Sequence, residues 1–174
     1  LMIGNQVPVT LVTHEHLLSG TLITHGDRLL DILNSTLTDM LCINDVQISR
    51  VGLADRVATS LPSATVRKTS IDLAVLRNTE HEAPEKRWYS YVEKQPRRIF
   101  LTLPGCHVDG TVRLTHTPQP AMAVLQQRDD FVPITGATVT MADGEVVAAQ
   151  VVMVRRDSIG LLYVGEPTVG GWEQ

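Results

Sequence analysis

The sequence has few aromatic residues, few cysteines and no long apolar run. Aromatics make up 4% of its 174 residues, so the core must be built mainly from Val, Leu, Ile, Thr and Ala. Two cysteines, Cys42 and Cys106, are too few for a secreted disulfide framework, and we expect both to be buried thiols. No run approaches the roughly 18 apolar residues of a membrane-spanning helix. The first six residues do not resemble a signal peptide, which favours the cytoplasm or the cytoplasmic face of a membrane.

Signatures of catalysis are missing as well. The sequence has no Gly-x-Ser-x-Gly elbow, no phosphate-binding loop and no glycine-rich dinucleotide fingerprint. A formal charge of −4 argues against general nucleic-acid binding, which normally needs a basic surface. A hydrophobic fraction of 43% with 20% charged residues is typical of a folded globular chain. We therefore expect a folded protein that is not an enzyme and uses no cofactor.

The sequence contains an internal repeat. Residues 11–22 recur at 101–112, which is 90 positions later. Residues 40–43 recur at 131–134 with an offset of 91, and residues 66–73 recur at 154–161 with an offset of 88. Three blocks in the same order, with nearly constant offsets, predict two tandem copies of one unit. The predicted boundaries are a first unit at 1–79, a connector at 80–98 and a second unit at 99–174.

Each unit is predicted to run β-β-α-β-β-β. Alternating β-branched residues indicate the strands, and apolar residues at helical spacing indicate a helix over 27–34. In the second unit, Thr117 suits an N-cap and Pro118 the first position of a helix that ends at Gln127. Pro133 cannot donate a ladder hydrogen bond, so its strand should lie at a sheet edge or begin after the proline.

The fold class is predicted to be mainly β, with one short helix per unit. Short strands and a glycine within the second strand of each unit, Gly20 and Gly110, suit a small bent barrel of the SH3 or Sm-like type. A two-layer α+β unit is the alternative. Because units of this size have marginal cores, the two copies should bury a shared face, as a pseudo-dimer related by an approximate two-fold axis.

Two stretches carry a resemblance to a known family. In the second unit, residues 131–139 followed by 152–159 resemble an uncharacterised bacterial family of short β-rich domains, a domain of unknown function. In the first unit, residues 20–22 followed by 28–34 resemble the front half of the same family. The first unit also resembles the Sm pattern, although its spacing is longer. The residues of that pattern are Gly20, Leu22, Asp27, Asn34 and Asp39. The resemblance implies the β-rich fold and supplies no function to transfer.

The connector is the least repetitive part of the chain and the strongest candidate for a partner-binding surface. It holds three of the seven aromatics of the chain, interleaved with basic residues, and a fourth, Phe100, follows two residues after it. Trp, Tyr and Arg dominate interface hot spots, so we predict that this segment binds a partner protein, or else that its aromatics clamp the two units together. The predicted partner-binding residues are Trp88, Tyr89, Tyr91, Arg97 and Arg98.

A second candidate site is a pair of basic residues that occurs in both units. Arg67-Lys68 in the first unit matches Arg155-Arg156 in the second. Repeated basic pairs can hold a phosphate or another anionic ligand, whereas exposed basic residues also serve to protect a strand edge from aggregation. His14, His16 and His25 are the residues to consider for metal binding, since a zinc site needs at least three protein ligands; we interpret them as polar residues at a strand turn and predict no metal site.

From these features we expect a non-enzymatic scaffold or accessory subunit. It would bind another protein through its strand edges and the connector, with a homo-oligomer through strand edges as one form of assembly. The alternative is a small-ligand or RNA-binding sensor of the Sm-like type that uses the repeated basic residues. Acidic residues in the connector make nucleic acid the weaker choice.

Overall fold

The computed structural model describes residues 6–52, 57–77, 79 and 93–167. It is mainly β with one short helix in each half, in the predicted order. The first half comprises β1 (Gln6–Thr13), β2 (His16–Ile23), α1 (Leu29–Asn34), β3 (Met40–Arg50), β4 (Thr59–Arg67) and β5 (Ile71–Leu76). The second half comprises β6 (Gln95–Leu103), β7 (Cys106–Leu114), α2 (Pro120–Leu125), β8 (Phe131–Met141), β9 (Val146–Arg155) and β10 (Leu161–Pro167). Within these ranges no helix is long and apolar enough to span a membrane.

All ten strands join one open antiparallel sheet. Their order is β10-β6-β7-β8-β9-β5-β1-β2-β3-β4, so β10 and β4 each have one neighbour among the described strands. The sequence predicted two separate small barrels or α+β units, and the continuous sheet corrects that expectation. The reason lies in β5, whose six residues are all buried. Alternate residues of β5 enter the two different cores, and both hydrogen-bonding edges of the strand are paired, one with β1 and the other with β9.

The two halves have the same strand order and the same register. Within the first half the order is β5-β1-β2-β3-β4, and within the second it is β10-β6-β7-β8-β9. Met40 pairs with Arg67, and their counterparts Phe131 and Arg155 pair with each other. The two 3-10 turns, Lys68–Ser70 and Arg156–Ser158, also occupy corresponding positions. The backbone therefore follows the sequence correspondence through every strand.

The predicted bends at two glycines are present. The β2·β3 register shifts between Ser19 and Thr21, and the β7·β8 register shifts between Asp109 and Thr111. A Cβ on Gly20 would lie 2.6 Å from the carbonyl oxygen of Asn44. Only a residue without a side chain permits this close approach of the two strands.

The pairing of β5 with β9 connects the halves, and we call it the seam. It comprises residues 73–76 of β5 and 151–154 of β9, with Leu73 opposite Val154 and Leu76 opposite Val151. Alternate residues of the seam face different cores. Leu73 and Val75 enter the core of the second half, whereas Met153 enters the core of the first half. The two halves thus share buried surface, as expected from their small size.

The strands that form the seam are not equivalent. β5 is the fifth strand of the first half, and β9 is the fourth strand of the second half. A two-fold axis between the halves would require the equivalent pair, β10 with β4, to form as well. Those two strands lie at opposite ends of the described sheet. The two-fold pseudo-dimer is therefore not confirmed by the strand pairing.

Two local predictions differ from the structure in ways that have simple causes. Helix α2 begins at Pro120, with Gln119 as its N-cap, rather than at Pro118 after Thr117. The ring of Pro120 disfavours a helical Gln119, so the helix starts at the second proline. Pro133 lies within a central strand and not at an edge. It is tolerated because the β7 ladder ends at Thr135, so no β7 partner lies opposite it.

The cysteine prediction is half wrong. Cys106 is buried, whereas Cys42 is exposed on β3. The alternation of β3 explains the difference, since Leu41 and Ile43 on either side of Cys42 face the core. Burial raises the pKa of the Cys106 thiol to about 12, and the charge of Asp72 acts in the same direction. Cys106 is therefore an inert core thiol.

Candidate interaction edges of the sheet

The β10 edge presents large apolar side chains to solvent. Leu161 is 53% exposed and Tyr163 is 57% exposed. Both lie on the same face of β10, while Leu162 and Val164 alternate with them and pack against the core of the second half. β10 pairs with β6 on one side, and no described strand covers its other side.

The β4 edge is polar by comparison. Ser63 and Thr65 are exposed, whereas Ala64 and Val66 turn toward the core of the first half. Pro62 lies in the same strand and removes one backbone donor from it. Proline and small polar residues are common devices that keep an open edge from pairing indiscriminately.

These two edges are the counterparts of the strands that meet at the seam. β10 corresponds to β5, since both pair with the first strand of their half in the same register: Val75 lies opposite Thr10, and Tyr163 lies opposite Phe100. β4 corresponds to β9 through the shared register with the third strand of each half. The chain therefore contains one completed contact and the two exposed strands that would form another of the same kind.

The predicted partner-binding residues fall in two places. Trp88, Tyr89 and Tyr91 lie outside the described residues. Arg97 and Arg98, predicted within the connector, lie on β6, which begins at Gln95. The connector is therefore shorter than predicted by at least four residues.

The two arginines on β6 have different surroundings. Arg97 is buried, and its Nη1 donates to the carbonyl oxygen of Gly165 at 3.2 Å. Arg98 is exposed and forms a cross-strand ion pair with Asp109, with Nη2 2.8 Å from Oδ2. Hydrogen bonding and charge within this pair raise the pKa of Arg98 and lower the pKa of Asp109. Of the two arginines, Arg98 is therefore the accessible one. A partner-binding role for Arg97 and Arg98 stays a prediction.

Among the repeated basic residues, Lys68 and Arg156 donate hydrogen bonds to carbonyl groups in the last turn of a helix or just after it. Lys68 Nζ donates to the carbonyl oxygens of Ile32 at 2.6 Å and Ser35 at 3.1 Å. Arg156 Nη1 donates to the carbonyl oxygens of Gln127 and Asp129. Cations in these positions satisfy carbonyl groups that a helix end leaves unpaired. Burial lowers the pKa of Lys68, and the charge of Asp39 partly opposes that shift.

The structure brings three of the four basic residues to one cavity. A cavity of about 270 Å³ lies where the halves meet, and Arg67, Lys68 and Arg155 contribute to its wall. Three carboxylates line the same cavity and balance these charges: Asp39, Asp130 and Asp157. Arg156 does not line it and is within ion-pair distance of Asp130 and Asp157. The site is therefore polar and close to neutral.

A small polar cluster bridges the two halves beside the seam. Ser158 Oγ lies 2.5 Å from Asp72 Oδ1, and Arg155 Nε donates to the carbonyl oxygen of Ile71 at 3.2 Å. A second bridge is formed by Asn34, whose Oδ1 accepts from the Phe131 N–H at 2.9 Å and whose Nδ2 donates to the Phe131 carbonyl at 3.3 Å. These contacts fix the halves relative to each other through directional bonds as well as apolar burial.

The histidines considered for metal binding all lie within the described residues. His14 lies in the turn between β1 and β2, His16 begins β2, and His25 lies beyond the end of β2 with a φ of 50°. Within the described part of the chain, no group of three or more His, Cys, Asp or Glu side chains is placed to hold a metal ion.

Sequence reasoning missed Asn34, Asp72 and the β10 edge. Asp72 had a readable signal, because it is a lone carboxylate in the apolar run of β5. Asn34 had none, since its partner Phe131 lies 97 residues away. No sequence signal indicated that Leu161 and Tyr163 are exposed, because β10 has the same kind of apolar sequence as the buried strand β5.

Comparison with protein-family models, with curated proteins and with solved structures finds no match to this chain. The family resemblance based on the sequence therefore stays a prediction.

Proposed function

We propose that this protein is a non-enzymatic scaffold or accessory subunit that binds another polypeptide by adding a strand to its sheet. The observation that carries the proposal is the pair of edges, β4 and β10, at the two ends of a ten-stranded antiparallel sheet, each open as far as the described strands are concerned. An open edge offers backbone donors and acceptors, and neighbouring side chains supply specificity. Leu161 and Tyr163 provide that apolar contact on β10.

The duplication supports this function. We interpret the two halves as copies of one unit, because their strand order and pairings correspond. Within the chain, one copy already binds the other by strand addition at the seam. A fold that joins its own halves in this way is suited to joining further chains. The connector aromatics Trp88, Tyr89 and Tyr91 would enlarge the binding surface.

Affinity capture with mass spectrometry tests the proposal. The baits are the wild-type chain, an edge variant Leu161→Asp, a connector variant Trp88→Ala/Tyr91→Ala, and a control Val146→Asp. Val146 is 60% exposed and lies on β9 at the end away from the seam pairs. We expect a stoichiometric polypeptide, which includes a second copy of this chain, to be lost in the edge variant and kept in the control. A wild-type bait with no such polypeptide would contradict the proposal.

A second candidate function rests on the cavity between the halves. Arg67 from β4 and Arg155 from β9 line it together with Lys68, so an anionic small molecule such as a phosphorylated nucleotide, or an RNA phosphate, would meet two guanidinium groups there. Calorimetric titration with inorganic phosphate and with a single-stranded RNA tests this role at low salt. Salt-sensitive binding that Arg67→Ala removes would support it, and no heat of binding at low salt would exclude it.

A further inference from the structure

We infer that the occupant of the open edges is a second copy of this chain, with β10 of one copy pairing with β4 of the next. This inference rests on the proposed function and names its partner. The seam provides the template, because it already pairs the counterpart of β10 with the counterpart of β4.

The template fixes the register of the new contact. At the seam, Leu73 pairs with Val154 and Val75 pairs with Val152. The offset of 88 residues places Leu161 opposite Val66 and Tyr163 opposite Ala64 in the second copy. Leu162 with Thr65 between them, and Val164 with Ser63 after them, follow in the same way and complete a four-residue antiparallel ladder.

The side chains of β10 are already arranged for such a contact. Leu73 and Val75 cross the seam and enter the core of the opposite half. Their counterparts on β10 are Leu161 and Tyr163, both of which are more than half exposed in the single chain. In the second copy these side chains would enter the core of its first half. The contact would therefore remove from water the most exposed apolar surface of β10.

The β4 edge accommodates the ladder and limits its length. At the seam, the amide of Gln150 donates to the carbonyl oxygen of Arg77, one position beyond the four pairs. The corresponding residue of β4 is Pro62, which has no N–H. Ser63 and Thr65 are smaller and more polar than their counterparts Val151 and Met153. The new contact would thus be shorter and less apolar than the seam, so we expect reversible association.

Two flanking contacts at the seam also have counterparts. Arg155 Nε donates to the carbonyl of Ile71, and its counterpart Arg67 is exposed at the β4 edge. In the assembly, Arg67 of the second copy would donate to the carbonyl of Ile159 of the first copy. The Asn34 bridge to Phe131 would be replaced by an apolar contact between Leu125, which is 38% exposed, and Met40 of the second copy.

The contact is heterologous, since β10 and β4 are different surfaces. Each chain presents both edges, so assembly continues until the rotation per chain closes a ring. Closure would remove both open edges of every chain. This outcome resolves the hazard that two uncovered strands pose to a sheet of this length.

Sedimentation velocity of the purified full chain over a dilution series tests the inference. We expect wild type to form species larger than a monomer that dissociate on dilution. Leu161→Asp should weaken association by tenfold or more, because it would place a charge in the core of the second copy. Val146→Asp, which changes an equally exposed valine outside the contact, should associate like wild type. A wild-type chain that stays monomeric at every concentration would overturn the inference.

Cysteine cross-linking tests the register separately. The background is Cys42→Ser, because Cys42 Sγ lies 3.7 Å from Thr65 Oγ1 and would compete. We expect a chain carrying Thr65→Cys to form a disulfide with a second chain carrying Leu162→Cys, which lies directly opposite in the predicted ladder. Ser63→Cys, two residues away on the same face of β4, should cross-link far less. Equal yields for the two positions would overturn the register.

The outcome also separates this inference from the proposed function. If pure protein is monomeric and the affinity capture still yields a different polypeptide that depends on Leu161, strand addition holds and the second copy is overturned as occupant. If neither experiment shows a bound polypeptide, both fail together.

Discussion

The seam and the two sheet edges are built from equivalent strands. At the seam β5 pairs with β9, whereas their counterparts β10 and β4 lie at the two ends of the described sheet. At the seam, all six residues of β5 are buried, because β9 covers the side that β1 does not. On β10, the counterparts of Leu73 and Val75 are more than half exposed. This difference in exposure arises because β5 has a second neighbouring strand, β9, whereas β10 has only β6 among the described strands. The apolar pattern of a strand shows that its side chains can be buried, and a second neighbouring strand determines whether they are buried.

The largest effect that separates the two regions should come from truncating equivalent leucines. Leu73→Ala removes a fully buried side chain from the seam, and we expect it to lower the free energy of unfolding by about 2–5 kcal/mol. Leu161→Ala, at the counterpart position, should change it by about 0.5 kcal/mol or less in dilute solution. Urea unfolding of both variants at low concentration measures the difference. Equal losses would show that β10 is as buried as β5.

A smaller effect is expected at the two bulges, which test whether the halves are equivalent away from the seam. An alanine Cβ at position 20 would meet a backbone oxygen at 2.6 Å, whereas at position 110 it would meet a methyl group of Ile134 at 2.6 Å and a backbone oxygen at 3.0 Å. We expect both substitutions to destabilise by about 1–3 kcal/mol, with Gly20→Ala the more severe because a side chain yields more readily than backbone. Thermal unfolding ranks the two, and a larger loss for Gly110→Ala would contradict this account.

The hydrogen bonds between Asn34 and Phe131 provide a further comparison between the seam and the open edges. Asn34→Ala would leave the N–H of buried Phe131 without its partner, which should cost about 1–3 kcal/mol. The counterpart of Asn34 is Leu125, which faces solvent in the single chain, so Leu125→Ala should be nearly neutral at low concentration. Urea unfolding checks both variants. A neutral Asn34→Ala would mean that the bridge contributes nothing to joining the halves.

The smallest effect concerns a pair that lies outside the seam. The pKa of Asp109 is lowered in the folded state by its hydrogen bond to Arg98. Its stabilising contribution is therefore present above the pKa of the unfolded state and is lost as the pH falls through the lowered folded value. Asp109→Asn should flatten this part of the pH dependence of unfolding slightly, because exposed ion pairs contribute little. The control is Asp143→Asn, in the turn before β9; an unchanged profile for Asp109→Asn would contradict the assigned pair.

Much of the fold could be predicted because its causes are local. Alternation of apolar residues predicted the order of strands and helix along the chain in each half. The repeat predicted the correspondence of Gly20 with Gly110, and both glycines lie at bends. The continuous sheet could not be predicted, since the pairing of β5 with β9 joins residues far apart in sequence. The repeat in the sequence identified the two basic pairs. The hydrogen bonds of Lys68 and Arg156 to carbonyl oxygens near the helix ends could not be predicted, because they depend on the folded backbone. Trp88, Tyr89 and Tyr91 lie outside the described residues, so the connector stays a prediction.

Hydrogen exchange followed by mass spectrometry, at high and low protein concentration, tests the central claim most directly. The claim is that β4 and β10 are open counterparts of the seam and are covered by a second copy. Among residues 63–66 and 161–164, we predict that the amides not bonded to β3 or β6 exchange slowly in concentrated protein and rapidly after dilution. Amides of 73–76 and 151–154 should stay protected at both concentrations. Exchange at β4 and β10 that does not depend on concentration would contradict the claim.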